Sequence, residues 1–400
     1  MGIVFFSNTI TMKMKRHLLI IIILTIITSC ESNIRNKESK SPNDEYSLII
    51  YDSIVFDTNL FYPKIVITDF DSSKALLSGF DWDSKDIILL NTKTKCINTF
   101  NKTGAGPGEY NEIRGLSFFN DSTIILLTNR DIIFYNLYGV PELIKSIKFA
   151  NIFQGFNLFH FNIPHKIEKN GDTIVYIRHY NENLAERRFD KIKWLSKINL
   201  TKRNYRKVIK IPNESPLLSL DDKRYIRHTP SYSNIINDSL IYFMYPFDKT
   251  IYCYNINTSN LTNSISFYIP TFNPAKFSLS AGSSEIFKKR QTDDYCFDFF
   301  INSNGYFLVY STGIPEKKIA SSKAEYIESD IEAKYRNYFL VNINSEQKQS
   351  SDILLRDKNG NPLRILFLIS NDRIYLLKNN IKKEENVFKI FIAKISKTNW

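Results

Sequence analysis

The sequence predicts an all-β fold, a six-bladed β-propeller of four-stranded antiparallel blades with its ring closed by an N-terminal strand. Three observations predict it. Aromatic residues make up 14% of the chain, with 30 Phe and 23 Tyr among 400 residues, and strands accommodate such side chains better than helices do. One pattern, a polar turn, an apolar run, a second polar turn and a second run rich in aromatic and β-branched residues, recurs about six times. Further strands flank most of these pairs, and four antiparallel strands repeated about six times make a propeller.

Residues 1–29 read as a signal peptide of the lipoprotein type. Lys13, Lys15, Arg16 and His17 form a basic segment, Leu18 to Ile27 an apolar one, and Ile27-Thr28-Ser29-Cys30 ends it at a cysteine. The apolar run of about ten residues is short of the roughly twenty that a membrane span needs. The arrangement resembles a bacterial lipobox. That resemblance implies cleavage before Cys30, a diacylglycerol thioether on its sulfur and acylation of the new terminus. Translation from Met12 or Met14 would give a more usual leader than Met1. Residues 30–44 are polar and charged, as a flexible tether requires, and residues 45–400 form the propeller.

Along the propeller, the first strands of the pairs begin at Asp86-Ile-Ile-Leu-Leu, Asp121-Ser-Thr-Ile-Ile, Gly171-Asp-Thr-Ile-Val, Asn237-Asp-Ser-Leu-Ile, Asn304-Gly-Tyr-Phe-Leu and Asn371-Asp-Arg-Ile-Tyr. Their partners begin at Cys96, Ile132, Trp194, Ile251, Tyr338 and Phe388. Gly115-Leu-Ser-Phe-Phe, Ser233-Asn-Ile-Ile and Leu363-Arg-Ile-Leu precede three of the pairs. Leu143 to Phe149, Tyr205 to Ile211 and Ile265 to Ile269 follow others. The sixth repeat runs out of chain after three strands, so Tyr46-Ser-Leu-Ile-Ile-Tyr is expected to supply the fourth and cover the sheet edge. The first repeat lacks a visible fourth strand.

Between the first two repeats lies Lys102 to Tyr110, Lys-Thr-Gly-Ala-Gly-Pro-Gly-Glu-Tyr. Gly104, Gly106 and Gly108 permit a left-handed backbone and Pro107 fixes its own φ, so an ordered, sharply turning loop is expected. It lacks the Lys-Ser/Thr ending of a phosphate-binding loop, and no amphipathic helix follows it. In this order, the lipobox, closing strand, glycine loop and repeats resemble the six-bladed propeller lipoproteins of Bacteroides-type bacteria, TolB-like and distantly NHL-like in repeat. The resemblance covers about Tyr46 to Trp400. It implies the fold and an address in the cell envelope, and no established enzymatic activity.

Glu109 and Tyr110 are expected to pack the blades and bond the loop amides. Glu109, Arg114, Arg130 and His179 are the candidates for ligand contact, with a salt bridge as the plainer use of Arg114. Long connections, His179 to Lys191 and Ser311 to Tyr335 within hairpins and Pro212 to Arg227 and Pro270 to Asp293 between blades, are expected to emerge on one face, as binding surfaces do.

Other chemistry finds little support. A net charge of +12 is scattered along the chain without a basic run or a nucleic-acid module, so no nucleic-acid partner is expected. Cys96, Cys253 and Cys296 are an odd set without a Cys-x-x-Cys, read as buried free thiols. The five His residues are isolated, so no metal site is expected; no catalytic residues and no cofactor are read. Acid pairs such as Asp221-Asp222, Asp293-Asp294 and Glu384-Glu385 sit in polar turns. The expected function is that of a membrane-anchored, extracytoplasmic module that binds a protein, small-molecule or glycan ligand on its loop-rich face, in the outer membrane and facing either the periplasm or the surface. The alternatives are a metal-dependent, lactonase-like hydrolase with its site in the central channel and a structural scaffold of an envelope complex.

Overall fold

In a computed structural model, residues 37–38, 46–57, 65–128, 131–137, 142–148, 165–178, 193–219, 232–237, 239–245, 248–273, 292–320, 335–378 and 387–397 are described. Six antiparallel sheets of the compact unit 38–400 form a six-bladed β-propeller. Blade one is Ile65–Asp71, Leu76–Asp81, Ile87–Asn91 and Ile97–Phe100, and blade two is Gly115–Asn120, Thr123–Leu127, Asp131–Asn136 and Glu142–Lys148. Blade three is His165–Lys169, Asp172–Arg178, Lys193–Asn199 and Asn204–Lys210. Blade four is Tyr232–Asn237, Leu240–Met244, Thr250–Asn255 and Leu261–Ser266. Blade five is Tyr295–Asn302, Gly305–Ser311, Tyr338–Asn344 and Ile353–Leu354. Blade six is Leu363–Ser370, Arg373–Lys378, Val387–Lys397 and, from the other end of the chain, Tyr46–Asp57.

The middle strands of a blade are covered on both faces by neighbouring blades, so they read as continuous apolar runs. Ile87 to Leu90, Ile124 to Leu127 and Ile132 to Tyr135 are buried at every position. An outer strand has one face in solvent, and Glu142–Lys148 is exposed at almost every residue. Six apolar clusters fill the six joints between consecutive blades. One of them joins Ile54, Phe56, Tyr375 and Ile390 of blade six to Ile67, Leu77 and Ile88 of blade one. Each fully buried Leu, Ile or Phe contributes about 1.5–3 kcal/mol, so the joints rather than the turns hold the blades in place.

Within blades, the tight turns share one device. Asp71, Asp81, Asn91, Asn255 and Asn302 each accept the backbone N–H two residues on through the side chain. In three of these turns the fifth residue, Lys85, Lys95 or Ser259, is left-handed and returns its N–H to the first residue's carbonyl. The first strands of adjacent blades approach one another, as between Ile65–Asp71 and Gly115–Asn120. There Asp69 follows a break in strand register. Its carboxylate accepts the N–H of Phe118 from blade two and that of Phe70, while desolvation holds it above the usual carboxylate range.

Four sequence readings are corrected. Blade one is complete. The pair starting at Asp86 and Cys96 forms its third and fourth strands, and the first two, Ile65–Asp71 and Leu76–Asp81, carry Asp69 and Gly79 inside their runs, which hid them from an apolar-run reading. Cys96 is exposed, because it stands in the turn after Asn91 just before its strand, whereas Cys253 and Cys296 are buried and free. The fourth strand of blade four is Leu261–Ser266, earlier than the run Ile265 to Ile269, whose Phe267 and Ile269 are buried after the strand has ended. Tyr46–Asp57 pairs along its length with Val387–Lys397, and so continues well past Tyr51.

Candidate functional site

The glycine loop is held as a unit by its own backbone and by two tyrosines. Tyr110 donates its N–H to the Lys102 carbonyl at 3.0 Å, Gly104 donates to the Tyr110 carbonyl at 3.2 Å, and Glu109 donates to the Gly106 carbonyl at 3.1 Å. The Glu109 carboxylate accepts the Gly106 N–H at 2.6 Å. This close approach explains one glycine, since a Cβ at Gly104 would stand 2.0 Å from Glu109 Oε2. Gly108 has φ +76°, and a Cβ there would meet Leu143 at 2.5 Å, so two constraints act together at that position.

Tyr110 is 2% exposed and places its hydroxyl between two backbones, donating to the Lys85 carbonyl at 3.0 Å and accepting from Lys102 N–H at 3.3 Å. Tyr135, from the third strand of blade two, donates its hydroxyl to the Gly108 carbonyl. Its ring meets Tyr110 edge-on at 6.5 Å and Phe100 at 5.7 Å. Burial pushes Tyr110 up to about 12 and raises Tyr135 as well. Both phenols therefore remain donors at ordinary pH.

Of the sequence candidates for ligand contact, Glu109 and Arg114 are described. Glu109 is exposed at its rim of the loop and bonded to Gly106. Arg114 starts the first strand of blade two through N–H to the Leu127 carbonyl at 2.8 Å, and its guanidinium lies 2.5 Å from Glu112 Oε2. Arg130, His179 and the acylation candidate Cys30 lie outside the described residues. Among the described residues no group of three or more His, Cys, Asp and Glu side chains could hold a metal ion.

A different feature was missed. Between blades five and six, at the end of the sheets marked by the turns Ser303–Asn304 and Asn344–Ser345, a cleft of about 260 Å³ opens. Asn304, Asn342, Asn344 and Asn371, with three serines, supply its polar lining, and Tyr46, Phe307, Ile353 and Ile395 its apolar one. No charged side chain lines it, although the chain carries a net charge of +12. Asn342 and Ser350 are engaged with each other's strand, Asn342 N–H bonding Ser350 Oγ at 3.0 Å. Asn371 has a buried side-chain oxygen with no hydrogen-bond partner among the described residues.

A polar cluster is sealed at the joint of blades three and four. Asp248, 1% exposed, accepts hydroxyl protons from Ser215 at 2.8 Å and from Tyr252 at 2.5 Å, and burial raises its carboxyl above the ordinary range. Trp194 and Tyr245 pack edge-on beside it at 5.4 Å.

The geometry defines a class, the six-bladed β-propeller, and comparison with solved structures agrees. A member of the DUF4221 family from Bacteroides vulgatus superposes with TM-score 0.66 at 12% identity, over 89% of this chain and 99% of that one. A candidate exported protein from Bacteroides fragilis superposes with TM-score 0.52 at 11% identity, over 90% and 99%. At such identities the likeness is one of fold. No family model and no curated protein matches the sequence.

Proposed function

We propose that this chain is a lipid-anchored, extracytoplasmic binding module of the cell envelope. The observation that carries the reading is the placement of its long connections. In blade three Arg178 pairs with Leu195 and Lys193 with Lys210, so the 179–192 connection and the exit toward blade four leave the sheet at one end. In blade five Tyr295 pairs with Ser311 and Ser311 with Tyr338, so the entry from blade four and the 312–337 connection also share an end. Extra chain concentrated at one end of a rigid scaffold is how binding faces are built. The signal-like segment ending at Cys30 and the fold shared with a candidate exported protein support an address outside the cytoplasm.

Two measurements test it. Cys30→Ala should leave an unprocessed or soluble protein, since acyl chains would supply the membrane attachment; membrane recovery at the mature size would refute the anchor. Shortening 181–190 should remove co-purifying envelope partners while the melting curve stays in place. Unchanged partners with an unchanged melt would defeat the binding face.

A further inference from the structure

We propose that the cleft between blades five and six is a second binding site, specific for a neutral, polyhydroxylated ligand of about one sugar ring. This rests on the reading of the chain as a binding module, but not on which face carries its protein partners. The cleft lies at the opposite end of the blades from the long connections: Asn302 pairs with Gly305 and Gly305 with Asn344, so the cleft turns mark the end remote from Ser311 and Tyr338.

Three features set the ligand class. The first is charge. A cleft whose described lining holds no Asp, Glu, Lys, Arg or His, in a protein this basic, offers nothing that would pair with a phosphate, a carboxylate or an ammonium group. The second is the donor set. A primary amide gives two donors and an acceptor on one planar group, and a vicinal diol presents a donor and an acceptor at matching spacing. Asn342 already gives one N–H to the Tyr306 carbonyl and Asn344 Oδ1 accepts the Lys348 N–H, but each amide keeps further capacity, and with exposed Asn304 and the Asn371 oxygen, which has no partner among the described residues, they suit a hydroxyl-rich ligand. The third is the apolar wall. Tyr46 and Ile395 from paired strands, with Phe307 and Ile353, supply a surface against which the C–H face of a sugar ring packs.

The volume fixes the size. About 260 Å³ lies just below the range of about 300–1,000 Å³ usual for small-molecule sites, enough for one ring and not for a drug-sized aromatic. The polar lining also distinguishes this cleft from a gap in the apolar joint, because a void among Leu and Ile side chains stays dry and takes apolar guests.

The test uses the full chain and ligand-observed magnetic resonance with glucose, galactose, mannose and N-acetylglucosamine, their short oligomers, and glucuronate as the charged control. Saturation transfer to at least one neutral sugar is expected, weakened at least tenfold by Ser345→Trp, an exposed position whose indole would fill the opening without disturbing the core. Asn304→Ala, also exposed, should weaken it less, and glucuronate should give no signal. The absence of transfer from every neutral sugar would overturn the proposal. So would transfer that Ser345→Trp leaves unchanged. In that last case loss of the signal on shortening 181–190 would leave the envelope-binding reading standing and remove only this site.

Discussion

The joint between blades one and two and the joint between blades five and six use the same apolar middle strands, yet they finish differently. At the first, a loop folds back over the joint and Tyr110 and Tyr135 fill it, each hydroxyl ending on a backbone carbonyl. At the second, the apolar cluster of Phe307, Ile353, Tyr46 and Ile395 reaches the surface and gives way to asparagine and serine. A propeller joint can thus be sealed by an aromatic plug whose hydroxyls end on backbone carbonyls, or left open behind a rim of asparagine and serine whose bonds to the protein leave part of their capacity unused. The difference predicts where mutations will cost stability and where they will cost binding.

The contrast breaks first at the plug. Tyr110→Ala removes a ring that is 2% exposed together with a hydroxyl that serves Lys85 and Lys102. It should destabilise the protein by about 3–5 kcal/mol, as other large aromatic truncations do. Tyr46→Ala, in the cleft, should cost about 1 kcal/mol, because that ring is half-buried and its strand is held by backbone pairing. Denaturant unfolding of the two variants measures the gap. Equal losses would mean that the cleft is a packed joint and not an opening.

A finer cut leaves the ring and takes the hydroxyl. Tyr135→Phe strands the Gly108 carbonyl at a loop whose backbone has no other partner for it, with an expected loss of about 1–2 kcal/mol. A loss near zero would show that the plug acts through its rings alone.

The third joint adds a pH dependence. Burial, against the opposing hydrogen bonds from Tyr252 and Ser215, raises Asp248 above its ordinary value of 3.8. A carboxyl raised on folding binds its proton more tightly in the folded state. Its stabilisation is therefore complete below the unfolded value and is lost as pH rises through the folded value. Asp248→Asn removes that dependence. The stability of the variant relative to the parent should improve from acid toward neutral pH, measured as the difference between two melting series. A difference that is flat with pH, or of the opposite slope, would contradict the assignment.

Much of the fold was legible because the middle strands announce themselves. Ile87 to Leu90 and Ile124 to Leu127 are buried on both sides and so are apolar throughout, and Asn91 after the first and Asn120 before the second form turns through their own side chains. The first strands were harder to see. Asp69 sits in the first strand of blade one because its carboxylate bonds blade two, and a polar residue with a tertiary partner looks like a turn residue until the partner is known. Cys96 misled in the reverse direction, being apolar in type but placed at a turn. The cleft could not be read at all. Ser303, Asn344, Asn371 and Tyr46 come from four separate segments and from both ends of the chain, and what makes them a site is the absence of a plug, which is a property of packing and not of any local pattern.

The smallest expected effect is the most informative about the glycine loop. Glu109 is exposed, and the one described bond of its carboxylate, from Gly106 N–H, needs an acceptor oxygen and not a charge. Glu109→Gln keeps that oxygen, so if the acid only closes the loop the melting curve should stay within about 0.5 kcal/mol of the parent. Glu109→Ala should then cost more than Glu109→Gln, because it leaves the Gly106 N–H to water. The binding role makes a different demand. An acid that meets a basic group on a partner would lose that partner on Glu109→Gln with the fold unchanged, and the loss would grow as salt is lowered, since the charge pair matters most where screening is weakest. Partner capture by parent, Gln and Ala forms at two salt concentrations separates the cases. Capture that follows the melting curves assigns Glu109 to the loop, and capture lost in the Gln form although its melt is unchanged assigns it to the ligand.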